Sequence, residues 1–418
     1  MKFQESQFLS LAQPNVFSLQ VLEYRDGCRV LALVTVDCQL RRFVYSNSSL
    51  SETGATQSCA PELTGSQIEA DQTWEMADFT ATSCADREWS LLGVSRVLID
   101  GAREIAKAEV VVYRWPWNEA DPLQPMDCVL ERLIVGEHEA VCASSVLFAP
   151  LALHRLLFIA FCADGNVCCF EHVPPGDANE TGADSPQMHA TAAPFFKPPE
   201  APNSMGSAAG DESPGAPKHT AFAPILSAFL PAKAMSWLLV GYENGGLVVL
   251  STDDVDDADR TCRVWLKFRG PLSVVEIAHP LLRADEPRQF KAFLSSCWGP
   301  CTLWNFEQHS EKRDIAATRL MTFDAEAACN CALTSAHFTT VAGRYALFLS
   351  TFERRLLIYQ FDGCDEQTEE ECGDCELVEY SSALYRTLRL DERAEDGSGA
   401  ADFAVLCRDG LLFGTLSP

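Results

Sequence analysis

The sequence is short of basic residues: 32 of its 418 residues are Lys or Arg, against 59 Asp or Glu, so the formal net charge is −27. Nucleic-acid binding depends on neutralising phosphates with a basic surface, so this balance excludes a nucleic-acid-binding protein. Unaided binding to acidic lipid is disfavoured for the same reason. The remaining composition, with 47% hydrophobic and 22% charged residues, is typical of a globular protein.

Long apolar runs are also missing. The longest, residues 146–162, contains Pro150, His154 and Arg155 and falls short of the roughly 20 apolar residues that span a bilayer. Residues 1–7 do not lead into the apolar core of a targeting signal. We therefore expect a cytoplasmic protein without direct membrane insertion. Its 18 cysteines are expected to be reduced and, within apolar runs, to behave as small buried hydrophobic residues.

Motifs for catalysis or cofactor binding are absent as well. The sequence has no G-x-x-x-x-G-K-[ST] phosphate loop and no strand followed by G-x-G-x-x-G. The eight histidines are scattered singly, so they define no Cys–His nucleophilic pair. No His follows the pairs Cys372/Cys375 or Cys297/Cys301 at a zinc-finger spacing. The sequence therefore predicts a protein that is not an enzyme and needs no cofactor.

A repeated β-hairpin is what the sequence does contain. Each copy has a short apolar run, a polar or Gly-bearing turn, and a second run with apolar and aromatic residues. Seven copies begin near residues 31, 91, 156, 238, 292, 346 and 404. A strand repeat of this kind without helices predicts an all-β fold, a seven-bladed β-propeller in which each copy belongs to one four-stranded blade. Two or three separate β-sandwiches remain the alternative.

The predicted propeller is a single domain, residues 1–418, with long loop insertions. Residues 46–87 are predicted to be a polar insertion with scattered apolar residues. Residues 173–221 carry nine of the 22 prolines amid Ala, Gly and Ser, a composition that predicts a disordered loop. The last hairpin needs one more strand, which residues 3–11 or 15–22 can supply, and this pairing would close the ring and remove its open edge.

One acidic turn is a candidate metal site. Asp391, Asp396 and Asp402 cluster around a glycine just before the last hairpin, and calcium takes six to eight oxygen ligands from such turns. The oxygen donors do not alternate regularly, however, and Arg393 intrudes. A degenerate turn without bound metal is therefore the preferred interpretation, with calcium as the alternative.

Two tryptophans are candidates for partner binding. Trp115 and Trp117 flank a proline ahead of polar residues, so they are predicted to lie at a loop tip where a partner can reach them. Trp237, Trp265 and Trp304 lie on predicted strands and are assigned to packing between blades, the usual place of aromatic residues in such sheets.

Several segments resemble the kaptin family. They are residues 14–17 (PNVF), 270–273 (GPLS), 356–361 (LLIYQF) and the last hairpin, in which the 391–402 turn precedes residues 403–406 (FAVL). The hairpins are collinear with that family over nearly the whole chain, while residues 173–221 depart from it. The resemblance implies a non-enzymatic β-propeller scaffold.

The resemblance further implies a subunit of the KICSTOR complex, with the other KICSTOR subunits and the GATOR complex as partners. Such a subunit helps place GATOR on lysosomes and negatively regulates target-of-rapamycin signalling in response to amino acids. Its position beside the lysosomal membrane would come from its partners. Kaptin-like proteins are also associated with filamentous actin, so an actin-associated cytoskeletal protein is the alternative. Long-range repulsion between this acidic chain and the acidic filament favours the first reading.

Overall fold

The structure is a computed structural model. It describes residues 2–10, 16–23, 29–46, 49–52, 56–69, 71–83, 89–116, 126–135, 140–150, 155–173, 187–191, 224–230, 235–252, 261–279, 288–309, 314–323, 333–341, 344–361, 370–372, 375–380, 383–390 and 400–417. Nearly all of these residues form β-strands, and one short helix, α1 (Ser66–Glu69), lies between blades 1 and 2.

The strands follow one another blade by blade. The first strand along the chain is β1 (Lys2–Ser10), and blade 1 follows with β2 (Val16–Glu23), β3 (Arg29–Thr35), β4 (Gln39–Ser46), β5 (Ser49–Glu52) and the two-residue β6 (Gln57–Ser58). Blade 2 contains β7 (Thr73–Ser83), β8 (Trp89–Ile99), β9 (Ile105–Pro116) and β10 (Asp127–Leu133). Blade 3 contains β11 (Ala143–Pro150), β12 (Leu156–Cys162), β13 (Val167–Val173) and β14 (Gln187–Thr191).

Four further blades complete the ring. Blade 4 contains β15 (Pro224–Leu230), β16 (Ser236–Tyr242), β17 (Gly246–Thr252) and β18 (Cys262–Lys267). Blade 5 contains β19 (Leu272–Ile277), β20 (Gln289–Ser296), β21 (Cys301–His309) and β22 (Asp314–Phe323). Blade 6 contains β23 (Leu333–Val341), β24 (Arg344–Thr351), β25 (Arg355–Phe361) and β27 (Cys375–Glu379), and the short β26 (Glu370–Cys372) pairs in parallel with β22 of blade 5. Blade 7 begins with β28 (Leu384–Arg389), β29 (Ala401–Cys407) and β30 (Gly410–Ser417).

The ring closes between the two ends of the chain. Strand β1 is the fourth and outermost strand of blade 7, where it runs antiparallel to β30 with Lys2 opposite Ser417 and Ser10 opposite Gly410. The prediction that the N-terminal residues supply the last strand is confirmed. With β1 in place, β30 is paired on both sides, so the third strand of blade 7 has no exposed edge.

The innermost strands contact one another around the central channel in the order β2, β7, β11, β15, β19, β23 and β28, and β28 contacts β2 again. Each of these seven strands carries a one-residue β-bulge near its start. The bulges lie between Val16 and Ser18, Met76 and Asp78, Ala143 and Ser145, Pro224 and Leu226, Leu272 and Val274, Leu333 and Ser335, and Leu384 and Arg386. Because a bulge bends a strand and increases its twist, this shared irregularity adapts the inner strand of every blade to the narrow centre of the ring.

The hydrophobic core consists of seven layers, one between each pair of adjacent blades. The second and third strands of a blade lie between two such layers, so they are buried on both faces: every residue of β12, β17 and β29 is buried. Trp237 fills the layer between blades 4 and 5 with its ring centroid 4.7 Å from that of Phe290. Burial of apolar area between neighbouring sheets is thus what holds the ring together.

The structure confirms the all-β, seven-bladed propeller, but it changes the two predicted insertions. Residues 46–87 are not an insertion, because they contain the outermost strands of blade 1 and the innermost strand of blade 2. In β7, Trp74, Met76 and Phe79 are buried, and the bulge after Met76 breaks their alternation. Because of this break, the buried residues of β7 do not alternate regularly in the sequence and look like scattered apolar residues.

Residues 173–221 also contain a strand, so the prediction of a continuous disordered loop is wrong. Strand β14 pairs with β13, with Gln187 opposite Val173 and Thr191 opposite Cys169. Met188 is buried and His189 is exposed. An outermost strand needs only one ladder of backbone hydrogen bonds and a few buried side chains, so its composition is less apolar than that of a central strand. The other residues of this segment, 174–186 and 192–221, lie outside the described part of the chain.

Candidate functional site

Trp115 is not at a loop tip, so the prediction that it meets a partner there is wrong. It lies on β9, opposite Ser90 of β8, and its side chain is 2% exposed. The guanidinium carbon of Arg42 lies 4.1 Å from the centroid of its ring, an attractive cation–π arrangement. The strand continues through Trp115 to Pro116, which the sequence had suggested as a turn residue. Trp117 lies outside the described residues.

Asp402, the third carboxylate of the predicted acidic turn, has a structural role on β29. Its Oδ2 accepts a hydrogen bond from the Tyr45 hydroxyl at 2.5 Å, and its Oδ1 accepts one from the Thr415 hydroxyl at 2.7 Å. Because Tyr45 belongs to blade 1, its bond connects blades 7 and 1, whereas the Thr415 bond lies within blade 7. Asp391 and Asp396 lie outside the described residues. In the part of the chain that is described, no group of three or more His, Cys, Asp or Glu side chains is arranged to hold a metal ion.

Titratable side chains from four blades lie on the innermost strands around the central channel. Asp78 lies on β7, Glu276 on β19, His337 on β23 and Arg386 on β28. Arg386 interacts electrostatically with both Asp78 and Glu276, which are on blades 2 and 5 while Arg386 is on blade 7. Since these blades are not adjacent, the interaction must cross the channel. The Nδ1 atom of His337 lies 3.9 Å from Oε1 of Glu276.

Burial and the guanidinium of Arg386 set the protonation of these groups. Burial raises the pKa of Asp78 to about 6, and hydrogen bonds from Val146 and Phe79 partly offset it. Burial raises the pKa of Glu276 to about 7, partly offset by the charge of Arg386. Burial, with Arg386 as the next cause, lowers the pKa of His337 to about 3. His337 is therefore neutral at physiological pH.

The channel side chains stabilise the ring. Oδ2 of Asp78 accepts a hydrogen bond at 2.7 Å from the backbone N–H of Val146, which lies on the open edge of β11 in blade 3. Between blades 3 and 4, the hydroxyl oxygens of Ser145 and Ser227 lie 2.7 Å apart. Arg389 donates to the hydroxyl of Thr339 at 2.9 Å. The innermost strands have no further strand to pair with, so side chains such as Asp78 accept hydrogen bonds from their free backbone N–H groups.

A second group of residues lies on one face of the ring. In each blade the first strand runs away from this face and the second returns to it, so the turns between second and third strands all lie there. We call it the turn face. It carries residues 36–38, 100–104, 163–166, 243–245, 297–300, 352–354 and 408–409. The connections that enter the next blade lie on the same face.

All three exposed aromatic side chains in the described part of the chain lie at the turn face, one in each of blades 5, 6 and 7. Trp298 is 70% exposed, Phe352 59% and Phe8 52%. Trp298 lies on Gly270, where a Cβ would be 2.4 Å from its ring. Phe352 lies edge-on to Tyr385 at 6.1 Å between centroids, and Phe8 lies on Gly410. Each ring is thus supported from below and exposed above.

Three exposed arginines accompany these rings. Arg269 precedes the first strand of blade 5, and its carbonyl accepts a hydrogen bond from Ser296. Arg354 lies in the blade 6 turn, and Arg408 in the blade 7 turn. In the part of the chain described, no ion pair engages the guanidinium of any of the three. We call Trp298, Phe352, Phe8, Arg269, Arg354 and Arg408 the arginine–aromatic surface.

Comparison with known proteins finds no matching family and no matching curated protein. Among solved structures, the chain is similar to BBS1N in complex with ARL6DN in a mercury-soaked crystal. The TM-score is 0.50 and the sequence identity 7%, with 100% of this chain and 97% of that chain covered. A lead-soaked crystal of the same complex gives a TM-score of 0.48 at 9% identity over 100% and 97% of the two chains.

At 7% identity the first similarity shows the fold alone. The protein is therefore a β-propeller, a fold that is compatible with protein–protein interaction. No helix in the described part of the chain is long and apolar enough to cross a membrane.

Sequence reasoning identified none of the residues of the channel or of the arginine–aromatic surface. Asp78 and Glu276 are single polar residues in short strands, and only the closed ring brings them near Arg386. Trp298 did carry a signal, because a tryptophan between Cys297 and Gly299 falls in the turn of a predicted hairpin. A large apolar side chain in a hairpin turn has little to pack against within its own blade.

Proposed function

We propose that the protein is a non-enzymatic scaffold, a kaptin-like subunit of a KICSTOR-type complex. In this role it helps place the GATOR complex on lysosomes and limits target-of-rapamycin activity when amino acids are scarce. Its partners are the other subunits of that complex and GATOR. It reaches the lysosomal surface through them, because its net charge of −27 opposes direct binding to an acidic membrane.

The arginine–aromatic surface is the observation that carries the scaffold role. Exposed aromatic side chains and arginines are the residue types that contribute most binding energy in protein interfaces. The similar BBS1N structure was solved in complex with ARL6DN, which supports the view that a ring of this architecture can present its surface to another protein. The kaptin-like segments at residues 270–273 and 356–361 support the assignment to KICSTOR.

Several features of the channel argue for a structural role rather than catalysis. His337 faces Glu276 of blade 5, whereas Ser145 lies on blade 3 next to Ser227. A serine nucleophile needs a base within hydrogen-bond reach. Away from the channel, burial raises the pKa of the Cys169 and Cys407 thiols to about 12, which keeps these two thiols protonated. A hydrogen bond with Cys162 lowers the pKa of the neighbouring Cys168 thiol.

Affinity purification of the tagged chain, followed by mass spectrometry, tests the proposal. We expect KICSTOR and GATOR subunits to be recovered. Deleting the gene should leave target-of-rapamycin activity high after amino-acid withdrawal. Removing the partner subunits should change the location of the tagged chain from lysosomal to diffuse.

Recovery of actin without any KICSTOR or GATOR subunit, together with a normal amino-acid response after deletion, would contradict the proposal. That result would favour the alternative, an actin-associated cytoskeletal protein. Co-sedimentation of the purified chain with actin filaments would then separate direct binding from indirect recovery.

A further inference from the structure

We propose that the arginine–aromatic surface binds an acidic protein segment that also carries aromatic or aliphatic side chains. This inference rests on the proposed function only in its broad form, that of a binding scaffold. It does not depend on which complex the protein joins. The surface spans three consecutive blades of the turn face.

The aromatic rings provide the apolar part of this site. Trp298, Phe352 and Phe8 are each more than half exposed, yet each lies against a defined support: Gly270, Tyr385 and Gly410 respectively. Rings held in place before binding lose little conformational entropy when a partner covers them. An apolar group of the partner would remove their upper faces from water, which is favourable in proportion to the area buried.

The arginines provide the charge. Some other surface arginines are paired: Arg41 with Glu52 at 2.6 Å, Arg114 with Asp127 at 2.5 Å, and Arg155 with Glu171 at 2.6 Å. The exposed Arg103 and Arg263 form no ion pair in the described part of the chain. In the described part of the chain, the guanidinium groups of Arg269, Arg354 and Arg408 have no such partner. In a protein of net charge −27, three unpaired cations on consecutive blades are complementary to carboxylates of another protein.

Two carboxylates lie on the same turns, and they do not neutralise these arginines. Glu353 lies 3.7 Å from Arg355, which also pairs with Glu379. Asp409 is exposed beside Arg408 in the blade 7 turn. At Arg408, a partner's carboxylate would compete with Asp409. At Arg269 and Arg354, no carboxylate of the described residues forms an ion pair, so a partner's carboxylate would meet no competitor there.

The backbone of Arg354 has the conformation typical of these hairpin turns. Its φ is +67°, in the left-handed region, which Cys38, Arg103, Gly165 and Gly245 also occupy in the corresponding turns of blades 1 to 4. A non-glycine residue in this region costs of order 1 kcal/mol. Glycine would therefore be more stable at position 354. This geometry, which the hairpin turns share, leaves the exposed Arg354 in the same turn as the exposed ring of Phe352.

A protein segment fits this surface better than an anionic membrane does. Charges are screened over about 8 Å at physiological ionic strength, so a narrow segment would sense mainly the local arginines. A membrane would instead lie across the whole turn face, including the acidic side chains of Asp37, Asp100, Asp164 and Glu243 in the turns of blades 1 to 4.

A random-peptide phage library selected on the purified 418-residue chain tests the inference. We expect enriched peptides to be acidic and to contain aromatic or aliphatic residues. Arg354→Glu and Trp298→Ala should each weaken a synthetic copy of an enriched peptide by about tenfold or more, measured by fluorescence anisotropy. High salt should weaken it as well.

Arg263→Glu serves as the matched control. Arg263 is an exposed arginine near the opposite end of the ring, on the outermost strand of blade 4, so its reversal changes the net charge equally and should leave peptide affinity unchanged. A thermal melt of each variant checks that the ring is intact. Arg354→Lys, which keeps the charge, should retain most of the binding.

Three outcomes would overturn the inference. They are no enrichment, enrichment of peptides without acidic character, and equal peptide affinity of Arg354→Glu and Arg263→Glu. Flotation with phosphatidylserine-containing vesicles that is lost in Arg354→Glu would assign the surface to a membrane instead. These measurements use the purified chain alone, so peptide binding without recovery of KICSTOR subunits from cells would reject the proposed complex and retain the site.

Discussion

The buried ion pair between the central strands of blade 2 allows a quantitative prediction. Arg96 on β8 and Glu109 on β9 have side chains that are 2% and 0% exposed. Nη2 and Nε of Arg96 donate to Oε2 of Glu109 at 2.6 and 2.9 Å, and Nη1 donates to the Tyr113 hydroxyl at 2.8 Å. The ammonium of Lys107 pairs with the other oxygen of Glu109. The two charges therefore satisfy each other inside the blade.

Removing both partners should cost less than the sum of the two single removals. Arg96→Met leaves the Glu109 carboxylate buried with only Lys107 beside it. Loss of one partner of a buried pair costs about 3–5 kcal/mol, and the presence of Lys107 places our expectation at about 3 kcal/mol. In the double variant with Glu109→Leu no buried charge is left unpaired, so its cost should be smaller than the sum of the two single costs by about 2 kcal/mol or more.

Urea denaturation of the two single variants and the double variant forms the cycle that measures this difference. Arg41→Met is the matched control, because Arg41 binds Glu52 through two hydrogen bonds of 2.7 and 2.6 Å at the surface. Surface pairs contribute up to about 1 kcal/mol, so this variant should remain close to wild type. If Arg96→Met costs no more than Arg41→Met, or if the two single costs simply add, the argument from burial is refuted.

Three further predictions concern the channel, the outer strands and the turn face. Glu276→Gln should gain thermal stability relative to wild type as pH rises from about 4.5 to 7. Because the pKa of Glu276 is raised to about 7, the neutral carboxyl stabilises the folded wild type at low pH. This stabilisation is lost as the carboxyl ionises between about pH 4.5 and 7. A difference in Tm between variant and wild type that does not change with pH would contradict this. Replacing residues 173–221 with a Gly/Ser bridge should lower Tm by several degrees, because it removes β14 and the buried Met188. Deleting only residues 192–221 should lower Tm less. Equal losses of Tm would mean that β14 does not contribute to stability. Gly270→Ala should lower Tm more than Gly65→Ala does. Both glycines have positive φ, but only at position 270 would a Cβ meet the ring of Trp298. Equal losses of Tm would indicate that Trp298 does not lie on Gly270.

The sequence revealed the middle of every blade and little of its edges. All seven predicted hairpins correspond to second and third strands, such as β12 and β13 or β29 and β30. These strands pack against neighbouring blades on both faces, so their apolar runs are continuous and easy to recognise. Innermost and outermost strands are half exposed, and the bulge near the start of each inner strand breaks the alternation that would have marked it.

The sites were harder to predict than the fold because they depend on several blades at once. Asp78 and Arg386 are far apart in sequence, and only closure of the ring places them across one channel. Trp115 was misassigned because polar residues follow it, although its strand pairing continues to Pro116. Asp402 was grouped with its sequence neighbours, whereas its hydrogen-bond partner Tyr45 lies in a different blade.

The position of β1 has a consequence for how the chain folds during synthesis. This strand is synthesised before blades 1 to 6, whereas its partner, β30, is synthesised after them: the Ser6 hydroxyl donates a hydrogen bond to the carbonyl of Phe413, 407 residues later. Blades 1 to 6 can assemble one after another from local hairpins, whereas blade 7 is complete only once β30 has been synthesised. Strand β1 remains unpaired during this time, and its polar residues Gln4, Glu5, Ser6 and Gln7 make it less prone to aggregation. Completion of the ring is therefore expected to be the slow, late step of folding, and an unfinished chain would carry six formed blades with an open edge on each side.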